Sequence, residues 1–221
     1  LLTLLRTPSS TLFPYTTLFR SYIQRSISDN AVTKINDQNF YDRCHVVKAL
    51  SQLQTKAHNA NQPLDYNNIK QSLLANINNG TGGLVSKQVN HSDEKTIEVV
   101  ELLFKEIIQD DSITSGIQSL ILRLQIPTIK VAMLDPQFFN NQNHPARNLL
   151  NTLSHVGIGI TEDNDELLKK IEPVIDTLLN DYEQDSVSFQ KALDSLNRLF
   201  SHDFETCQKK EQHTQKQILR E

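Results

Sequence analysis

Residues 122–160 read LRLQIPTIKVAMLDPQFFNNQNHPARNLLNTLSHVGIGI, and this stretch decides the fold. Pro127, Pro136 and Pro145 divide it. Proline lacks the backbone N–H that a helix interior needs, so it belongs in a first turn or outside a helix. The stretch therefore reads as short helices joined by tight turns. The segment IPTIKVAMLD starts at about Pro127, is apolar nearly all round, and is expected to be buried centrally. Asp135-Pro136 ends it, and PQFFNNQNH forms a turn-rich connection. Pro145 then takes the first position of a helix whose core face is Leu149, Leu150, Leu153 and Val156, with Gly157 expected as its C-cap.

The same spacing extends outward in both directions. Val46, Val47, Leu50 and Leu53 recur at helical steps, as do Ile69, Leu73 and Ile77 behind a capping Asp65. Ser92 or Asp93 is expected to open a helix with Ile97, Val100, Phe104 and Ile107 on one stripe, and Ser112 to cap the next, with Ile117, Leu120, Ile121 and Leu124. Asp165 opens a helix through Leu168, Ile171, Ile175 and Leu178, in which Pro173 is expected to cause a kink. Phe189, Leu193, Leu196 and Leu199 form one further face. Strand-type alternation of useful length is missing, so the expected class is all-α, an irregular multi-helix bundle of short and medium helices.

The expected organisation has five parts. Residues 1–21 are set aside, because TLFPYTTLFRS at Thr11 to Ser21 looks like a translated sequencing-adapter artefact, and Pro8 and Pro14 break any signal-peptide run. Residues 22–78 form an N-terminal helical piece, and 79–94 a linker marked by Gly80, Gly82 and Gly83. Residues 95–200 form the core helical domain, and 201–221 a helix leading towards sequence beyond Glu221. The absence of an initial Met and of a stop signal at the end makes the chain read as a fragment. Self-association through the C-terminal helix is an expectation of that last segment, although its heptads are too few for a coiled coil.

Charge and cysteine content exclude several classes. Without Arg6 and Arg20 the 22 basic residues fall to 20 against 26 acidic ones, which moves the net charge from −4 to −6. Such a chain repels a phosphate backbone, so no nucleic-acid partner is expected. No apolar run reaches the roughly 18 residues of a membrane span. Cys44 and Cys207 form no CxxC, and a reducing cytoplasm fits them best. Neither Cys44-His45 nor His202 with Cys207 has paired metal-ligand spacing, so no metal and no cofactor are expected.

Arg123, Lys130, Asp135, His144 and Arg147 crowd into the opening stretch. Two readings compete. In one, Arg123, Lys130, His144 and Arg147 bind a small anion or nucleotide, with Asp135 orienting a cation. In the other they are structural: Asp135 caps a turn and pairs with Arg147, while Lys130 snorkels from a buried helix. The structural reading is favoured, because no glycine-rich phosphate loop accompanies the charges. His144 has no nucleophile motif near it, and no catalytic residue is expected. Phe138-Phe139 reads as an anchor folding back onto the core.

RLQIPTIKVAMLDPQFFNNQNHPARNLLNTLS resembles the bacterial family known as domain of unknown function 1631. The residues carrying the resemblance are Arg123, Leu124, Gln125, Ile126, Pro127, Lys130, Leu134, Asp135, Phe138, Phe139, His144, Pro145, Ala146, Arg147, Leu149 and Leu150. The resemblance covers about 97–200, with a faint likeness near Val46 to Gln54. It implies a helical cytoplasmic bacterial protein; some members look to carry a C-terminal domain that binds cyclic di-GMP, a link to such signalling whose sequence signals are absent from these residues. A thymidine phosphorylase label carried by some relatives finds no support in these residues. The expected role is a non-enzymatic interaction or scaffold domain of a regulatory protein with protein partners of unknown identity.

Overall fold

A computed structural model describes residues 40–60, 69–80, 88–159, 165–181 and 186–201. These form nine helices among the described residues: α1 (Arg43–Ala60), α2 (Ile69–Gly80), α3 (His91–Ile108), α4 (Ser115–Arg123), α5 (Gln125–Leu134), α6 (Gln137–Asn140), α7 (Pro145–Gly159), α8 (Asp165–Asp181) and α9 (186–201). The only extended pairing among them is an isolated parallel bridge, Phe40 to Gln88. The all-α class expected from the periodicity is what the described residues adopt.

α5 is the hub. Every residue from Gln125 to Met133 is buried, as an all-round apolar helix requires. It packs on α3, α1, α4 and α6, while α4 also packs on α7 and α8. Pro127 falls inside the first turn of α5 rather than at its first position, where its missing N–H still costs no helical bond. α4 and α5 meet at Leu124 with a bend of 41°. No single described helix is long and apolar enough to cross a membrane.

One apolar cluster unites the elements. Val46, Leu50, Leu73, Ile97, Phe104, Ile117, Ile129, Leu149, Ile175 and Phe189 all belong to it. These are the positions that helical spacing selects along each segment, so the sequence stripe and the buried face coincide.

Several helix ends differ from expectation. Asn90, not Ser92 or Asp93, caps α3: its side chain accepts the Ser92 N–H at 3.1 Å. Asp93 instead is drawn inward to Arg43. Ser112 does not cap α4, which starts at Ser115 behind Thr114. Ser112 bonds to Asp110 in the turn, and Gln118 Nε2 donates to the Ile108 and Asp110 carbonyls to hold that turn shut.

Gly157 is not a C-cap. α7 runs on to Gly159, and a Cβ at Gly157 would lie 2.7 Å from Ile113 Cγ2 and 3.0 Å from Ile117 Cγ2. The Thr114 N–H also donates to the Gly157 carbonyl at 3.2 Å. This glycine lets two backbones approach, which is a tertiary demand that local reading misses. Pro173 sits within α8, and the Thr177 hydroxyl bonds back to its carbonyl. Asp65, Cys207 and the segment 202–221 lie outside the described residues.

Candidate functional site

The signature charges gather where α5, α6 and α7 meet. Asp135 stands just past the end of α5. Its Oδ1 accepts the Gln137 N–H at 2.8 Å, an Asx turn that starts α6. Its Oδ2 lies 3.2 Å from His144 Nε2. On the other side of that ring, Nδ1 accepts the Ala146 N–H at 3.2 Å, so His144 caps the first turn of α7. An acceptor Nδ1 leaves the proton on Nε2, where it is donated to Asp135. Asp135 thus takes His144 as its partner, and not Arg147 as the sequence suggested.

Arg147 turns its guanidinium to backbone. Nη1 donates to the carbonyls of Phe139 and Asn141, both at 3.3 Å, bracing the connection that follows α6. Phe138 is fully buried in the middle of the junction. Its ring stands edge-on to Phe139 at 4.9 Å and to His144 at 5.4 Å, the geometry that aromatic quadrupoles prefer. Gln125 and Pro127 are buried in the first turn of α5.

Arg123 and Lys130 point elsewhere. Arg123, at the end of α4, pairs with Asp176 and Glu172 of α8. Lys130 leaves the opposite side of α5 towards α1, where its Nζ donates to Ser51 Oγ at 3.2 Å and Gln54 Oε1 at 3.0 Å. It does not snorkel to solvent: only 4% of it is exposed. The four proposed ligands, Arg123, Lys130, His144 and Arg147, are therefore committed to three different neighbourhoods.

The electrostatics follow burial. Lys130 is pushed down to about 8 by desolvation of its ammonium. Desolvation also lowers His144, against the opposing pull of Asp135, with Arg147 adding to the lowering. Arg147 is lowered by the same burial. Both ring nitrogens of His144 are occupied in the neutral form. It has no free lone pair with which to take a proton from a substrate.

Sequence reading missed a second polar cluster, between the first two helices and the rest. Glu101 of α3 accepts the Lys70 N–H at 2.9 Å and so caps α2 from another helix. Lys70 Nζ reaches Glu94 and Glu98 at 2.5 and 2.6 Å, and these two hydrogen bonds raise its pKa. Asp93, buried against Arg43, and Glu101 are both raised, in each case first by desolvation. The acidic spacing 94, 98, 101 on one helix face was available as a signal, but its partner lies 31 residues from Glu101 in sequence.

Fold and junction together define an all-α domain in which α5, α6 and α7 meet at a part-buried Asp–His contact. Residues 41–185 match the family described as protein of unknown function (DUF1631), 2nd domain, and the chain belongs to that family. The match begins at residue 41, so it takes in α1 and α2 as well as the region whose resemblance was legible from about residue 97. No curated protein and no solved structure matches the chain.

Proposed function

We propose that this domain is a helical interaction or scaffold module of a regulatory protein and performs no catalysis itself. One observation carries the reading. Arg123, Lys130 and the pair His144 and Arg147 bond internally in three separate places: to α8 carboxylates, to α1 side chains, and, at the α6–α7 junction, to Asp135, the α7 backbone and loop carbonyls. A phosphate or nucleotide site needs cations that converge on one point. Here they serve as fasteners between helices, and a domain so fastened presents a fixed surface. A protein partner is the class of ligand that such a surface suits, in the reducing cytoplasm that the cysteine usage favours.

The test is a titration of the full chain with inorganic phosphate, ATP and cyclic di-GMP, followed by thermal unfolding. The expected result is no shift in Tm beyond the salt effect given by chloride. A saturable rise in Tm with any of these anions, abolished in Arg123→Ala or Arg147→Lys, would establish the small-anion reading in its place. A ligand that binds only the folded state at 100 times its Kd stabilises by about 2.7 kcal/mol, well within detection.

A further inference from the structure

The connection from α6 into α7 is held to the core chiefly by one side chain. Between Phe138 and Ala146, residues 140–143 are exposed, Phe139 and Pro145 are half-buried, and His144 alone is buried, with 2% of it exposed. The amide side chains of this connection serve their own turns. Asn141 Oδ1 accepts the Asn143 N–H at 2.9 Å, and Asn140 Nδ2 donates to the Pro136 carbonyl at 3.3 Å. From α7, Arg147 and Asn148 grip it through the carbonyls of Phe139, Asn141 and Asn143.

The way His144 is bonded leaves no room for a second proton. Nδ1 accepts the Ala146 N–H and the Nε2 proton is given to Asp135, so the one lone pair of the neutral ring is engaged. A further proton has a single destination, Nδ1, where it would meet the Ala146 N–H at 3.2 Å, donor against donor. An imidazolium held at this burial would also lose its hydration. Two charged groups face the ring: Asp135 from the end of α5 favours the imidazolium, and Arg147 from α7 opposes it. Its neighbour from α6 is the uncharged Phe138. Burial outweighs Asp135 and holds the ring below its ordinary 6.5, in accord with the bonding.

We propose that His144 is a proton-operated latch: protonation at Nδ1 withdraws the cap from the first turn of α7 and frees the connection 139–145 from the core, while Phe138 and the flanking helices stay packed. Swinging outward hydrates both the imidazolium and the Ala146 N–H, which removes the donor-against-donor clash. α7 itself stays in place, because Ala146, Leu149, Leu150 and Leu153 are anchored in the common core, as is Phe138 on the other side. The sign is fixed by the ring's reluctance to take a proton when folded. The latched state is complete above about pH 6.5 and is lost as pH falls below it.

Two measurements on the full chain test this. Long-range nitrogen NMR spectra of the His144 ring at pH 7.5 should place its proton on Nε2; a proton on Nδ1 overturns the proposal. Native-state hydrogen exchange, resolved by residue and corrected for intrinsic rates, then follows the His144 and Ala146 amides from pH 7.5 to 5. Their opening should be at least about tenfold more populated than that of α3 and α4 amides at each pH. It should also rise about tenfold per pH unit below about 6.5, until the ring's own midpoint is passed. Opening no greater than that of α3 and α4, or opening that does not grow in acid, overturns the latch. In His144→Asn, which caps a helix well and does not titrate, the same amides should show no rise over this range. A rise that survives in that variant assigns the effect to another group and overturns the proposal; if the variant does not fold, the wild-type readouts decide. No anion or partner enters these measurements, so their outcome is independent of the scaffold reading.

Discussion

Replacing Lys130 by Met tests the energetic core of the structure. The ammonium sits in the α1–α5 contact with 4% exposure, and its pKa falls from 10.5 to about 8. A tenfold change in proton affinity is worth about 1.36 kcal/mol, so keeping the lysine charged in the folded state below pH 8 costs on the order of 3 kcal/mol relative to a neutral amine. Methionine has similar length and no charge, and Ser51 keeps its bond to the Val47 carbonyl. Gln54 is only half-buried, so water can replace its lost donor. Urea unfolding of both proteins, followed by circular dichroism from pH 6.5 to 10.5, isolates the effect as a difference. Lys130→Met should be the more stable protein at pH 7. The wild type should gain on it by roughly 3 kcal/mol as pH rises from 8 to 10.5, with no change below 8. A difference that stays flat across that range refutes the assignment of a strongly desolvated amine.

Further outcomes follow from the junction and its neighbours. His144 has a lowered pKa, so its share of stability is present above about pH 6.5 and fades as pH falls below; NMR titration of its ring should report a midpoint under that of a free histidine. Asp135→Asn keeps the turn acceptor for Gln137 but removes the charge that favours imidazolium, and should lower that midpoint further. Gly157→Ala gains about 1 kcal/mol of helix propensity but forces a methyl against Ile113 and Ile117; overpacking of about 1–3 kcal/mol should win, lowering Tm in a thermal melt. Arg123→Ala breaks pairs whose carboxylates are about half exposed, so the loss should be at most about 1 kcal/mol and should shrink in high salt.

Local pattern carried most of the fold. The apolar stripes from Val46 to Leu196 became the core because helical spacing and burial answer to the same period. Pro145 at a helix start and the central burial of α5 were equally legible, since both depend on residues within one turn of each other. What could not be read was pairing at a distance. Lys130 finds its partners on α1, 76 and 79 residues away, and nothing near Lys130 announces them. Asp135 meets His144 rather than Arg147 because the chain between them turns through α6, with Phe138 buried in that turn, so that residue 144 faces it. Gly157 resembled a helix end when read alone, but its need is set by Ile113 and Ile117 on another element.

The Asp135–His144 contact spans nine positions, and both of its ends also fasten backbone, at Gln137 and at Ala146. Arg147 clamps two carbonyls inside the same interval. Residues 136–143 are thereby measured as by a ruler: one residue more or fewer cannot satisfy all four fastenings at once. A surface connection ordinarily tolerates insertions, but this one should not. Members of the family should vary freely in the side chains that face water here, at Gln137, Asn140 and Gln142, while holding the count between the aspartate and the histidine constant.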